Sequence, residues 1–238
     1  MKKRIAIALL FILLCGALSA NALAVYAVPN QRLAFRTGPN TRYTELYSMS
    51  ENTSVVAFEI DTFNDTQWVL LEYTRNGHVE RGYTGLKRID AYGYLPRAEL
   101  AFQSGCMRAS APVYAAPTSN TVVRGRVGRS EIVTYLYSED GYDYIEFYDS
   151  DNDRPSRGYI LSDTMNYLGD TAGYMKEGSP VYSSPRYRST RIGWVGQYEM
   201  VNFMDYENGY ALICFYDANQ RKLSVGYVPN DIVDTYNH

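Results

Sequence analysis

The chain has 238 residues, 46% of them hydrophobic and 21% charged, with nine prolines; this excludes a disordered or collagen-like protein and leaves room for one large domain or up to three small ones. A formal charge of −3 gives no Lys/Arg surplus to neutralise phosphates, which argues against a nucleic-acid binder. Twenty-four tyrosines beside eight Phe and two Trp point to β structure, because Tyr favours strands and keeps a polar tip that tolerates water.

The first element, residues 1–24, reads as a secretory signal peptide. Met1-Lys2-Lys3-Arg4 precedes an apolar run from Ile5 to Leu14, and small residues follow in Ala20-Asn21-Ala22-Leu23-Ala24, with cleavage expected after Ala22 or Ala24. A membrane anchor is the competing reading, and the interruptions near Gly16 and Ser19 weigh against it. Cys15 follows Ile12-Leu13-Leu14, with no small residue immediately before it, so lipidation is not expected. The mature chain is expected to lie outside the membrane, secreted or associated with the cell wall. Loss of Lys2, Lys3 and Arg4 lowers the basic residues from 23 to 20 against 26 acidic ones, a mature charge of −6.

The remainder divides into three units, at residues 25–92, 105–168 and 173–238. A gapless shift of 68 residues lays Pro112–Asp163 over Pro180–Asp231 with 20 of 52 positions identical. Among the matches are Pro112-Val113-Tyr114 with Pro180-Val181-Tyr182, Phe147-Tyr148-Asp149 with Phe215-Tyr216-Asp217, and Gly158-Tyr159 with Gly226-Tyr227. The first unit is more diverged, with spacing that differs by about two residues: Pro39 takes the place of Pro117, Glu72-Tyr73 sits near Phe147-Tyr148, and Gly82-Tyr83 answers Gly158-Tyr159. Within a unit the period is two. Val133, Tyr135 and Tyr137 fall on one expected face, and Ile145 and Phe147 alternate with Tyr144 and Glu146. Gly141 marks a turn, and Asp149-Ser150-Asp151-Asn152-Asp153 another. The segments near Ala91 to Gly105 and Asn166 to Gly173 read as linkers. About five short strands in nearly 70 residues suit a small barrel, which leaves few open edges.

Arg36-Thr37-Gly38-Pro39-Asn40-Thr41, then Tyr43, a strand at Val55-Val56, Trp68-Val69 and the closing Gly82-Tyr83, resembles a bacterial SH3-like domain. In the second and third units Val113-Tyr114-Ala115-Ala116-Pro117 and Val181-Tyr182-Ser183-Ser184-Pro185 stand where the first turn is, and Tyr144 and Leu212 stand where the pattern has Trp. The resemblance implies an all-β protein of three tandem small SH3-like β-barrels. It further implies a binding role, with peptidoglycan or its stem and cross-bridge peptides as the expected target. Arg36, Tyr43, Tyr47, Trp68 and Tyr83 are the candidate ligand-binding residues of a shallow aromatic groove, the mode by which SH3-like folds take extended peptides. Packing inside the barrel is the competing role for Trp68 and Tyr83, and capping its own turn is the competing role for Arg36.

Catalysis is not expected. A cysteine nucleophile needs an imidazole, and the two histidines are the terminal His238 and His78 in a polar turn. Asp149, Asp151 and Asp153 imitate the start of a calcium loop, but Arg154 and Ile160 stand where Gly and Glu belong, so no metal or other cofactor is expected. Cys106 and Cys214 could pair in an exported protein, for roughly 4–5 kcal/mol in the chain-entropy view, or remain two thiols. Two other functions stay open: an extracellular module for a peptide or protein partner, and an accessory subunit of a cell-wall hydrolase.

Overall fold

The computed structural model describes residues 24–186 and 188–236, so the signal peptide assigned to residues 1–24 lies outside it except for Ala24. Twenty strands and two single-turn 3₁₀ segments account for the regular structure, with no α-helix among the described residues; the all-β expectation is borne out.

The first unit consists of β1 (Val25–Pro29), β2 (Leu33–Arg36), β3 (Glu45–Met49), β4 (Val55–Phe63), β5 (Thr66–Arg75), β6 (His78–Gly85) and β7 (Ile89–Ala91). They form one sheet in the order β3-β2-β6-β5-β4-β1-β7. The second unit has β8 (Gln103–Met107), β9 (Ala111–Tyr114), β10 (Val123–Val127), β11 (Ile132–Glu139), β12 (Tyr142–Asp149), β13 (Arg154–Leu161) and β14 (Met165–Met175). The third adds β15 (Ser179–Tyr182), β16 (Arg191–Val195), β17 (Met200–Glu207), β18 (Tyr210–Asp217), β19 (Lys222–Pro229) and β20 (Val233–Thr235). Their orders, β10-β9-β13-β12-β11-β8-β14 and β16-β15-β19-β18-β17-β14-β20, repeat that of the first unit strand for strand.

The second and third units share one 13-stranded sheet, because β14 belongs to both. Met165–Tyr167 pairs with β8, while Thr171–Tyr174 pairs with β17 and Gly173–Met175 with β20. The stretch from Asn166 to Gly173, read from sequence as a linker, is therefore the middle of a strand, with a register shift between Tyr167 and Thr171. The segment after β7 does connect units, and it is held: Ile60 N donates to Pro96 O at 2.8 Å and Ala101 N to Leu136 O at 2.8 Å.

Local chemistry explains the recurrence. Asn64-Asp65, Asp140-Gly141 and Asn208-Gly209, which join the equivalent strands β4–β5, β11–β12 and β17–β18, all have positive φ at both positions, the two-residue turn that suits the twist of a β-hairpin. In each unit the strand before that hairpin carries a bulge, between Ala57 and Glu59, Tyr135 and Tyr137, and Phe203 and Asp205. The extra residue reverses the alternation beyond it. Val133 and Tyr135 accordingly pack in the second unit's core, whereas Tyr137, expected beside them, joins a cluster on the other side with Tyr83, Tyr144 and Tyr159.

Each unit has its own apolar core, centred on Val69 and Leu71, on Ile145 and Phe147, and on Ile213 and Phe215. Two further clusters join the units. One unites Phe58, Leu70 and Tyr83 with Leu136, Tyr144 and Tyr159; the other unites Ile132 with Tyr174 and Met200.

Candidate functional site

The cross-strand registers set equivalent positions side by side. Leu71, Ile145 and Ile213 stand opposite Gly82, Gly158 and Gly226, so Arg81 and Tyr83 match Arg157 and Tyr159. By the same registers Asp61 matches Glu139, and Glu72 matches Glu146. These are the faces through which the first two units meet, and they meet reciprocally, as the halves of a twofold dimer do.

Arg81 Nη1 donates to Glu139 Oε2 at 2.5 Å and to the Tyr159 hydroxyl at 3.0 Å. In return Arg157 Nη1 donates to Asp61 Oδ2 at 2.7 Å and to the Tyr83 hydroxyl at 3.4 Å. Each guanidinium also holds a carboxylate of its own unit, Arg81 Nε to Glu72 at 3.0 Å and Arg157 Nε to Glu146 at 2.8 Å. Each arginine thus sits in a cradle made of a carboxylate and a tyrosine hydroxyl supplied by the opposing unit. Arg124 links the two strands that carry these arginines, donating to the carbonyl oxygens of both Arg157 and Arg81.

Glu146 stands at the junction of all three units and is fully buried. Besides Arg157 it meets Arg42 at 3.5 Å, and it accepts hydrogen bonds from the hydroxyls of Tyr43, at 2.5 Å, and Tyr236. Burial alone pushes its carboxyl up; Arg157, Arg42 and the two hydroxyls outweigh that and hold it below the usual range. The Arg42 guanidinium in turn lies 4.2 Å from the Tyr174 ring centre and 4.5 Å from that of Phe63.

This junction decides where the candidate ligand residues lie. Tyr43 and Tyr83 have no exposed surface, because the second unit covers them. The open aromatic groove expected on the first unit is, at these two residues, an interface between units. Arg36 binds Glu45 at 2.9 Å and the Tyr43 carbonyl at 3.2 Å, which ties down its own turn. Tyr47 packs on Phe35, with the Arg75 guanidinium 4.2 Å from its ring centre. Trp68 is half-buried against the cluster that joins the first two units, opposite Asp61 and Gly85 in the ladders, and its buried Nε1 has no hydrogen-bond partner among the described residues. Tyr43, Tyr83 and Trp68 therefore share one junction, while Tyr47 lies on the other side of the first unit's sheet, against its core.

Beside the junction a cleft of about 530 Å³ opens between the units. Phe58, Leu70 and Tyr137 supply apolar wall, and Glu59, Arg81, Arg97, Glu99 and Glu139 supply charge of both signs. Burial, reinforced by Asp61, pushes the Glu59 carboxyl up to about 7, and its Oε1 has no hydrogen-bond partner among the described residues. Sequence reasoning passed over Arg81, Arg157 and the carboxylates they hold. The signal that identifies them is the contrast of Arg81-Gly82-Tyr83 and Arg157-Gly158-Tyr159 with Val225-Gly226-Tyr227.

No disulfide joins Cys106 and Cys214; both side chains pack on the cluster of Ile132, Tyr174 and Met200. Asp149 closes its own turn by accepting from Asp151 N at 3.1 Å and Asn152 Nδ2 at 2.7 Å. No protein-family model matches the chain, and no curated protein matches it. Among solved structures, NlpC1 and NlpC2 from Trichomonas vaginalis are similar to it, each at 15% identity, with TM-scores of 0.25 and 0.26. The alignments cover 56% of this chain and 45% and 47% of theirs, so the chain spans less than half the length of either, and likeness at that level carries no argument.

Proposed function

We propose that the chain is an exported, non-catalytic binding protein of three SH3-like barrels, and that it takes peptidoglycan or its peptides in the cleft between the first two units. The observation that carries this reading is the cleft itself, where apolar wall from Phe58, Leu70 and Tyr137 adjoins Glu59, Arg97 and Glu99. A site with both signs of charge beside apolar surface suits a short peptide with free amino and carboxylate groups, as wall stem peptides have. The mature charge of −6 disfavours attraction to polyanionic wall polymers and leaves this kind of local recognition.

The mature chain is expected to sediment with purified, protein-free sacculi, and Arg97→Ala is expected to weaken that binding. Wild-type chain left in the supernatant across a range of salt and pH would remove the wall as target. Peptide binding in the cleft without sacculus binding would favour an extracellular protein partner instead.

A further inference from the structure

The third unit has the same face that joins the first two, with a different chemistry on it. In register with Arg81 and Arg157 stands Val225, in register with Glu72 and Glu146 stands Cys214, and Leu212 stands where Leu70 and Tyr144 do. The acidic half of the cradle is retained. Glu207 matches Asp61 and Glu139, and Tyr227 matches Tyr83 and Tyr159. The Tyr227 hydroxyl lies 3.4 Å from Glu207 Oε2, and no ion pair to Glu207 occurs among the described residues. Around this cradle the face is apolar and open: Met204 is 44% exposed, Val225 48% and Ile192 37%, whereas their counterparts Leu136, Arg157 and Arg124 lie in the junction of the first two units.

We infer that this face of the third unit is a docking site for a protein partner that presents an arginine from an apolar surface, the guanidinium entering between Glu207 and Tyr227. The charges decide the occupant. The first two faces each give an arginine and receive one; the third can only receive, because Val225 has replaced its own. A second copy docking by the same face would set Glu207 against Val225 and bring together four carboxylates, two each of Asp205 and Glu207, with no arginine at position 225 to meet them. The arginine faces of a second copy are already occupied, since Arg81 and Arg157 are buried against each other's units. A partner of different sequence, with one arginine among apolar side chains, satisfies both the acid and the open apolar surface.

The test pans the whole mature chain against a random peptide library and then titrates the enriched synthetic peptides by isothermal calorimetry. Enriched peptides are expected to carry an arginine beside aromatic or branched residues. Binding is expected to weaken about ten- to a hundredfold when that arginine becomes glutamine, and equally in Glu207→Gln protein. Glu207 lies exposed at a strand end, so this variant keeps the fold, and unchanged circular dichroism checks that. Val225→Arg is expected to abolish peptide binding by supplying the face with its own cation. Failure to enrich peptides, enrichment of peptides without a cation, or binding indifferent to Glu207→Gln overturns the inference. So does a wild-type chain that sediments as a dimer and is dissociated by Met204→Lys. Loss of sacculus binding through Arg97→Ala with peptide binding intact separates this face from the cleft.

Discussion

Arg157→Met is the sharpest perturbation of the junction, because methionine keeps an unbranched apolar stem and removes only the guanidinium. In the wild type that group is fully buried and ties Glu146 at 2.8 Å to Asp61 at 2.7 Å across the two units. Removing one partner of a buried ion pair typically costs about 3–5 kcal/mol, since the other charge stays behind without compensation. Glu146 keeps Arg42 and two hydroxyls, while Asp61 loses the one ion pair it makes among the described residues, so the loss should be about 4 kcal/mol. With a urea dependence of about 2 kcal/mol per molar, the midpoint should fall by roughly 2 M. Trp68 packs in the joining cluster and reports it directly if Trp194→Phe removes the third unit's signal. The double variant Arg157→Met with Asp61→Asn should recover part of the loss, because it also removes the carboxylate left without a partner. A loss below about 1 kcal/mol in the single variant would refute the account of a junction held by reciprocal arginines.

Other expectations follow from the same structure. The depressed Glu146 carboxyl contributes stability that is complete above its unfolded value of 4.5 and lost as pH falls through its lower folded value; acid titration of Trp68 fluorescence should show that loss, and Glu146→Gln should flatten it. Glu59 acts with the opposite sign: the unfolded chain releases this proton near pH 4.5 and the folded chain holds it to about 7, so stability falls across that window. The fall should amount to roughly 1–2 kcal/mol after allowing for partial exposure, and urea midpoints of Glu59→Gln should no longer show it. At Gly158 a Cβ would lie 2.4 Å from Val113 Cγ1 and 2.9 Å from the Tyr114 carbonyl, whereas at Gly85 it meets nothing within 4 Å. Thermal unfolding should therefore show Gly158→Ala less stable by about 2–3 kcal/mol and Gly85→Ala within about 0.5 kcal/mol of wild type.

The repeat was readable because strand order follows from local signals that recur: the Asp-Gly and Asn-Gly turns of the second and third units, the alternation on the central hairpins, and glycines such as Gly158 that let neighbouring strands approach. The bulge was not readable. Nothing in Tyr135-Leu136-Tyr137 announces the extra residue, so strict alternation puts Tyr137 on the face of Tyr135, whereas it lies on the other. Burial of Tyr43 and Tyr83 was hidden for a different reason. Tyr83, Tyr159 and Tyr227 are the same residue at the same place in three copies, and whether each meets solvent or protein depends on which faces pair, a long-range property outside any one unit. The charged partners did leave a trace in the residue two before each tyrosine, Arg81, Arg157 and Val225, which repeat comparison by identity alone discards as a mismatch.

β14 is common to the second and third units, pairing by one half with β8 and by the other with β17 and β20. A hinge would let the third unit search the space around the other two; a common strand fixes its bearing. The cleft of the first two units and the open face of the third are thereby held at one separation and one angle. If both proposed sites bind, a ligand spanning that distance meets its second site at high effective concentration with little further loss of freedom, and one of the wrong span occupies only one of them.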